Sequence, residues 1–144
     1  MPLHLVKMCV GIDSVAALNA RIERMLADRQ ARGLAAEQTH TTRMQPKRAA
    51  EILDGGSLYW VIKGAVQARQ RLLALRPVVD GDGIGRCQLV LEPVAVPTET
   101  QPRRPFQGWR YLDAADAPPD LAAIGDAVGL PPALARELKE LGLL

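Results

Sequence analysis

A chain of 144 residues, 48% hydrophobic and 24% charged, is sized for one domain that buries its own core without disulfide staples. Its two cysteines, Cys9 and Cys87, are far apart and exclude a disulfide scaffold. No apolar run approaches the ~18 residues of a membrane helix, and MPLHLVKMCVGIDS lacks the charged head and apolar stretch of a signal peptide, so a soluble cytoplasmic protein is expected.

The formal net charge of +2 is unevenly spread. Residues 1–39 carry a net +1, residues 40–111 a net +5 and residues 112–144 a net −4. A basic middle beside an acidic tail points to an anionic partner for the middle, or to docking of the tail on the body.

In chain order, Leu3–Cys9 alternates as a strand, with Leu3, Leu5 and Cys9 on one face and Lys7 interrupting it. Asp13 or Ser14 caps a helix whose apolar stripe is Val15, Leu18, Ile22, Met25 and Leu26, ending near Gly33. Gln38–Met44 reads as a strand, and Pro46 opens a short helix, PKRAAEIL, closed by Gly55 and Gly56. Ser57–Lys63 is apolar on both faces and reads as a central strand ended by Gly64. VQARQRLLALRPVV is a long strand or a helix, DGDGIG a turn, and RCQLVLEPVAV a strand with Cys87, Leu89 and Leu91 on one face. Prolines 97, 102 and 105 predict an extended loop over 97–108. The tail reads as two short amphipathic helices joined at Gly129-Leu130-Pro131.

The expected architecture is α+β: a small mixed or antiparallel sheet, barrel-like or curved, with flanking helices and a C-terminal helical pair. Residues 1–112 form the core domain and 113–144 an acidic helical extension packed on it.

Three of the five aromatic residues, Phe106, Trp109 and Tyr111, fall within RRPFQGWRYL among three arginines. Single-stranded nucleic acid is held by such sets, with cations on phosphates and rings stacked on unpaired bases. The candidate binding residues are Arg43, Lys47, Arg48, Lys63, Arg69, Arg71, Arg103, Arg104, Trp109, Arg110 and Tyr111. The rings could equally plug the open end of the sheet, and Trp60 is assigned to the core.

Other chemistries find little footing. His4, His40, Cys9 and Cys87 match no zinc spacing, and no metal or cofactor is expected. Ser14 is a helix cap, Ser57 lacks a nucleophile elbow, and the cysteines lie in apolar strands that disfavour thiolates. No catalytic residue is assigned. Asp80 and Asp82 belong to a turn without a phosphate-loop pattern. The tail superficially resembles a helix-turn-helix, but its acidity argues against DNA. Leu134, Leu138 and Leu141 form a stripe suited to the body or to a second subunit.

The blocks THTTRMQPKRAAEILDGGSLYWVIKG, ARQRLLAL and RRPFQGWRYL resemble an uncharacterised alphaproteobacterial family, classed as a domain of unknown function, and carry no activity with them. A strand, the helix PKRAAEIL, glycines and the strands from SLYWVIKG onward are more loosely similar to the PUA-like superfamily, including ASCH and EVE domains. That resemblance implies a small β-barrel, RNA or modified-base binding, and a ligand near Pro46–Leu53 and the loop Arg103–Tyr111.

The favoured reading is a non-enzymatic RNA- or modified-base-binding module. A small-molecule or nucleotide-binding protein, or small enzyme, with a basic pocket of Tyr59, Lys63, Arg69 and Trp109 is the alternative. A homodimer joined through the tail helices is the third.

Overall fold

The structure, a computed structural model, describes residues 2–122. Seven strands and two helices follow one another as β1 (Leu3–Met8), α1 (Val15–Ala31), β2 (Gln38–Thr42), α2 (Ala49–Leu53), β3 (Ser57–Ile62), β4 (Ala65–Val79), β5 (Gly85–Leu91), β6 (Val96–Pro102) and β7 (Trp109–Asp113). A 3₁₀ turn covers Ala114–Asp116. The α+β class and the mixed sheet agree with the sequence reading. The expected C-terminal helical pair lies outside the described residues.

Local chemistry sets the ends of the elements. The Ser14 hydroxyl accepts the Ala17 N–H at 3.0 Å and starts α1, while Gly33, at φ +71°, lets the chain turn away after it. Leu18 and Ile22 are buried, whereas Met25 is exposed. The short helix α2 begins at Ala49, three residues later than Pro46 suggested. The Lys47 and Arg48 amides go instead to the Tyr111 hydroxyl at 3.1 and 3.4 Å, which holds this stretch as a turn. Between β3 and β4, Lys63 and Gly64 both take positive φ, +50° and +77°, the geometry of a tight hairpin turn matched to strand twist.

The sheet order is β2-β5-β4-β3-β1-β7, with β6 also on β4. β1 and β3 are parallel, joined through α1, β2 and α2; every other pairing is antiparallel. As expected of a central strand, β3 is buried along its whole length. The described residues show no pairing between β2 and β7, so the sheet is open rather than a closed barrel.

β4 is a strand, which resolves the ambiguity left by its sequence. Its first half pairs with β3 and β6 and its second half with β5. The Leu72 N–H bonds the Gly56 carbonyl, while the adjacent Arg71 carbonyl accepts from Glu92 on the other edge. Register slips at Gln67 and Leu73 are β-bulges that reset which side chains face which side.

Two corrections concern the following segment. Val96–Pro102 is not loop but strand, with Pro97 opposite Ala68 and Pro102 opposite Ala65. An edge strand with β4 as its partner has no central ladder to break, so prolines are tolerated. Trp109–Asp113 is a further strand, antiparallel to β1 from Leu3↔Asp113 to Lys7↔Trp109.

Strand alternation divides the core between two faces. The helix face buries Leu5, Leu58, Trp60, Ile62, Leu72 and Leu89 beneath Leu18 and Ile22 of α1 and Ile52 of α2. The opposite face buries Val6, Tyr59, Val61, Val66 and Leu112 beneath Phe106 and Ala117. Each large aliphatic side chain buried this way contributes roughly 1.5–3 kcal/mol.

Backbone approach is tightest at Gly56, where an added Cβ would lie 2.3 Å from the carbonyl oxygens of both Ile52 and Leu3. Gly56→Ala is therefore expected to cost at least about 2 kcal/mol by chemical denaturation. Gly81→Ala, with nothing within 4 Å of the new methyl, should stay within about 0.5 kcal/mol of the parent.

Candidate functional site

The basic residues singled out in the sequence fall into three places. Arg43, Lys47 and Arg48 lie in the turn after β2, and β7 comes alongside it through two side chains. The Trp109 indole N–H donates to the Met44 carbonyl at 2.8 Å, and the Tyr111 hydroxyl takes the two amides already described. The two rings meet edge to face at 4.9 Å, and the Arg48 guanidinium lies 5.5 Å from the Tyr111 ring centre while pairing with Glu51 at 2.6 Å.

Arg103, Arg104 and Arg110 occupy the other side of β7. Arg103 and Arg110 flank the Phe106 ring at 5.7 and 4.9 Å, and Phe106 itself packs on the opposite-face core. The Arg103 amide bonds the Gly64 carbonyl at 2.9 Å, which brings the Lys63 hairpin tip beside this group. Arg43, Lys47, Lys63, Arg103, Arg104 and Arg110 have no carboxylate partner among the described residues.

Arg69 and Arg71 stand apart, on the opposite face of β4. Arg69 makes a two-pronged bond to Asp120, 2.8 Å on each prong, and donates to the Ser57 hydroxyl at 3.1 Å. The segment after β7 is thereby fastened to the sheet, helped by the Glu99 amide on the Pro119 carbonyl at 2.8 Å. The pocket of Tyr59, Lys63, Arg69 and Trp109 inferred from sequence is not assembled. Tyr59 and Arg69 are cross-strand partners on the opposite face, whereas Trp109 packs with the helix-face core.

The histidines and cysteines have structural surroundings. The buried His4 accepts the Ser57 N–H on Nδ1 at 2.9 Å and packs edge-on to Tyr59; burial, then the Arg69 charge, pushes its pKa down. Burial pushes both thiols up. Among the described residues no three His, Cys, Asp or Glu side chains are grouped to hold a metal.

The sequence reading missed one feature. Between α1 and the helix face lies a cavity of about 380 Å³ whose lining includes Lys7, Arg21, Gln38, His40, Trp60 and Gln70. Register explains its make-up. Trp109, Lys7 and Trp60 form one row across β7, β1 and β3, so Lys7 stands between two indoles. His40 meets the Trp60 ring edge-on at 5.3 Å. Burial, followed by the charges of Lys7 and Arg21, pushes the His40 pKa down to about 4. Lys7 interrupting an apolar face was the available sequence signal.

The chain belongs to the family described as "Protein of unknown function (DUF1489)", which it matches over residues 5–144. Comparisons with curated proteins and with solved structures find no match.

The depressed His40 pKa has a definite consequence. Its unfolded value, 6.5, lies above the folded value of about 4, so between these pH values the unfolded chain binds more protons. Stability is then full above pH 6.5 and falls on acidification toward pH 4, by about 3 kcal/mol for this group. His40→Gln should flatten part of that loss in denaturation curves, the remainder following His4. An NMR titration should place the His40 midpoint near 4, and Lys7→Met should raise it.

Proposed function

We propose that this domain is a non-enzymatic module that binds single-stranded RNA, or a base presented from it, along the rim formed by β7 and its flanking turns. The observation that carries this reading is that six exposed or half-buried cations flank β7, Arg43 and Lys47 in the turn on one side and Lys63, Arg103, Arg104 and Arg110 on the other, without carboxylate partners among the described residues. Residues 43–48 and 103–111 are distant in sequence and adjacent at β7, in keeping with the ligand position implied by the PUA-like resemblance. Cations free of carboxylates suit phosphates, and the half-buried Trp109 offers a ring beside the turn that carries Arg43 and Lys47. Arg48 and Arg69 already have carboxylate partners and contribute less in this reading.

A small-molecule reading is favoured by a separate observation, the cavity beneath α1, and it needs none of the rim cations.

The test is a salt titration of binding to a mixed-sequence single-stranded RNA. Affinity should fall steeply with salt, and Arg103→Glu with Arg104→Glu should weaken it at least tenfold and flatten the slope by about two contacts. Bound RNA should shield Trp109, and not Trp60, from fluorescence quenching, since Trp60 is 2% exposed. Absence of binding at low salt would refute the proposal.

A further inference from the structure

The cavity under α1 has three properties that a packing defect lacks. It is built by five elements, with Lys7 from β1, Arg21 from α1, Gln38 and His40 from β2, Trp60 from β3 and Gln70 from β4. Its polar floor is largely satisfied: the Trp60 indole N–H donates to Gln70 Oε1 at 2.9 Å, and Gln70 Nε2 donates to the Glu92 carbonyl at 2.9 Å. Against that order one group stands out. Gln38 is 6% exposed, its Oε1 has no hydrogen-bond partner, and its Nε2 reaches only the Met25 sulfur at 3.6 Å, a weak acceptor. A buried amide left this way is costly and calls for an explanation.

The charge balance points the same way. Among the described residues of the lining, Lys7 and Arg21 are the charged side chains, both positive, and no acid stands with them. Arg21 makes long contacts, 3.5 Å to the Val10 carbonyl and 3.7 Å to the Cys9 sulfur. His40 stays neutral beside them at physiological pH, so it adds no positive charge and can donate or accept one hydrogen bond. Two half-buried cations without a counter-ion among the described residues, a neutral imidazole and an orphan amide describe the complement of a small anion that also carries a hydrogen-bonding group.

We infer that this cavity is a binding site for a small organic anion, its carboxylate or phosphate held by Lys7 and Arg21 and an adjacent N–H or O–H group donated to Gln38 Oε1. The site is distinct from the proposed RNA rim: it lies on the helix face, and its lining includes neither Trp109 nor any of the six rim cations. The volume of about 380 Å³ admits a metabolite-sized ligand and excludes a folded polymer.

The test uses the whole chain and three probes, inorganic phosphate, succinate and malate, with His40 as reporter by NMR. An anion seated beside the imidazole favours its charged form, so the His40 midpoint should rise saturably above about 4 with at least one probe. The succinate and phosphate arms decide between the two anion classes. Lys7→Gln with Arg21→Gln should weaken that response at least tenfold. Gln38→Leu separates a ligand contact from a structural one: it should leave the free protein as stable or more stable while weakening binding of a hydroxylated dicarboxylate, malate, more than that of succinate. No saturable shift of His40 with phosphate, succinate or malate up to about 10 mM, a range that captures millimolar binding, would overturn the inference. So would a Gln38→Leu variant that loses stability with ligand affinity unchanged. Neither result bears on RNA binding at the rim.

Discussion

The fold depends on one strand satisfying three partners. β4 is fifteen residues long and pairs with β3, β5 and β6, so the sheet is held together through it. An unbroken ladder of that length would keep a strict alternation and send the same parity of side chains to the helix face throughout. The bulges at Gln67 and Leu73 prevent this. They place Val66 in the opposite-face core and Ala68, Gln70 and Leu72 in the helix-face core, and they leave Leu73 half-exposed. The Gln67 amide is spent on the Ile62 carbonyl at 2.7 Å, next to the hairpin turn. Gln70 thus arrives under Trp60 because of a backbone irregularity three residues upstream.

The parallel pairing of β1 with β3 imposes a second constraint. A parallel pair needs a long crossover, and here the crossover contains α1, β2 and α2; its two helices pack on the helix face, α1 forming the cavity's roof and β2 one of its walls. β7 then completes the sheet beside β1, and its two inward rings do the work of a missing strand. Trp109 and Tyr111 bond the backbone of the turn after β2, linking the two ends of an open sheet by side chains where a barrel would use a ladder. The rings are therefore anchors first, and only the exposed part of Trp109 remains for a ligand. The two ways of reading RRPFQGWRYL, plug or platform, are resolved by division: Trp109 and Tyr111 bridge on the helix side, while Phe106 on the far side carries the arginines.

Much of this order is legible in the residues. Ser14 as cap, Leu18 and Ile22 within the stripe (though not Met25, which is exposed), Ser57–Lys63 as the central strand, found as Ser57–Ile62, and Cys87, Leu89 and Leu91 as one face all follow from local rules. The failures have a common cause. β4 looked ambiguous because its bulges break the period on which strand recognition rests. β6 was hidden because proline content argues against a strand, and only the topology makes it an edge. β7 was hidden because its aromatics read as a site rather than as a pairing segment. Of the candidate basic residues, sequence named the cations and assigned one partner, Glu51 to Lys47 four residues earlier, whereas Glu51 pairs with Arg48 three residues earlier. Asp120 on Arg69 depends on a contact that only the return of the chain after β7 creates.

The cavity was the hardest feature to foresee, because no motif holds it. Lys7, Arg21, Gln38 and His40 are scattered over the first 40 residues and meet only once β2 has paired with β5. Yet the physical sign was present in β1, where a lysine occupies an inward position between Leu5 and Cys9. A cation on the core side of a strand is costly unless something compensates for its lost hydration. Among the described residues no carboxylate does so here, and the neighbouring His40, held neutral first by its burial and then by the Lys7 and Arg21 charges, supplies no counter-charge. An apolar residue at Lys7 would relieve the same cost, and in the inferred site an anion from outside the chain relieves it instead by completing the electrostatics of this face of the sheet.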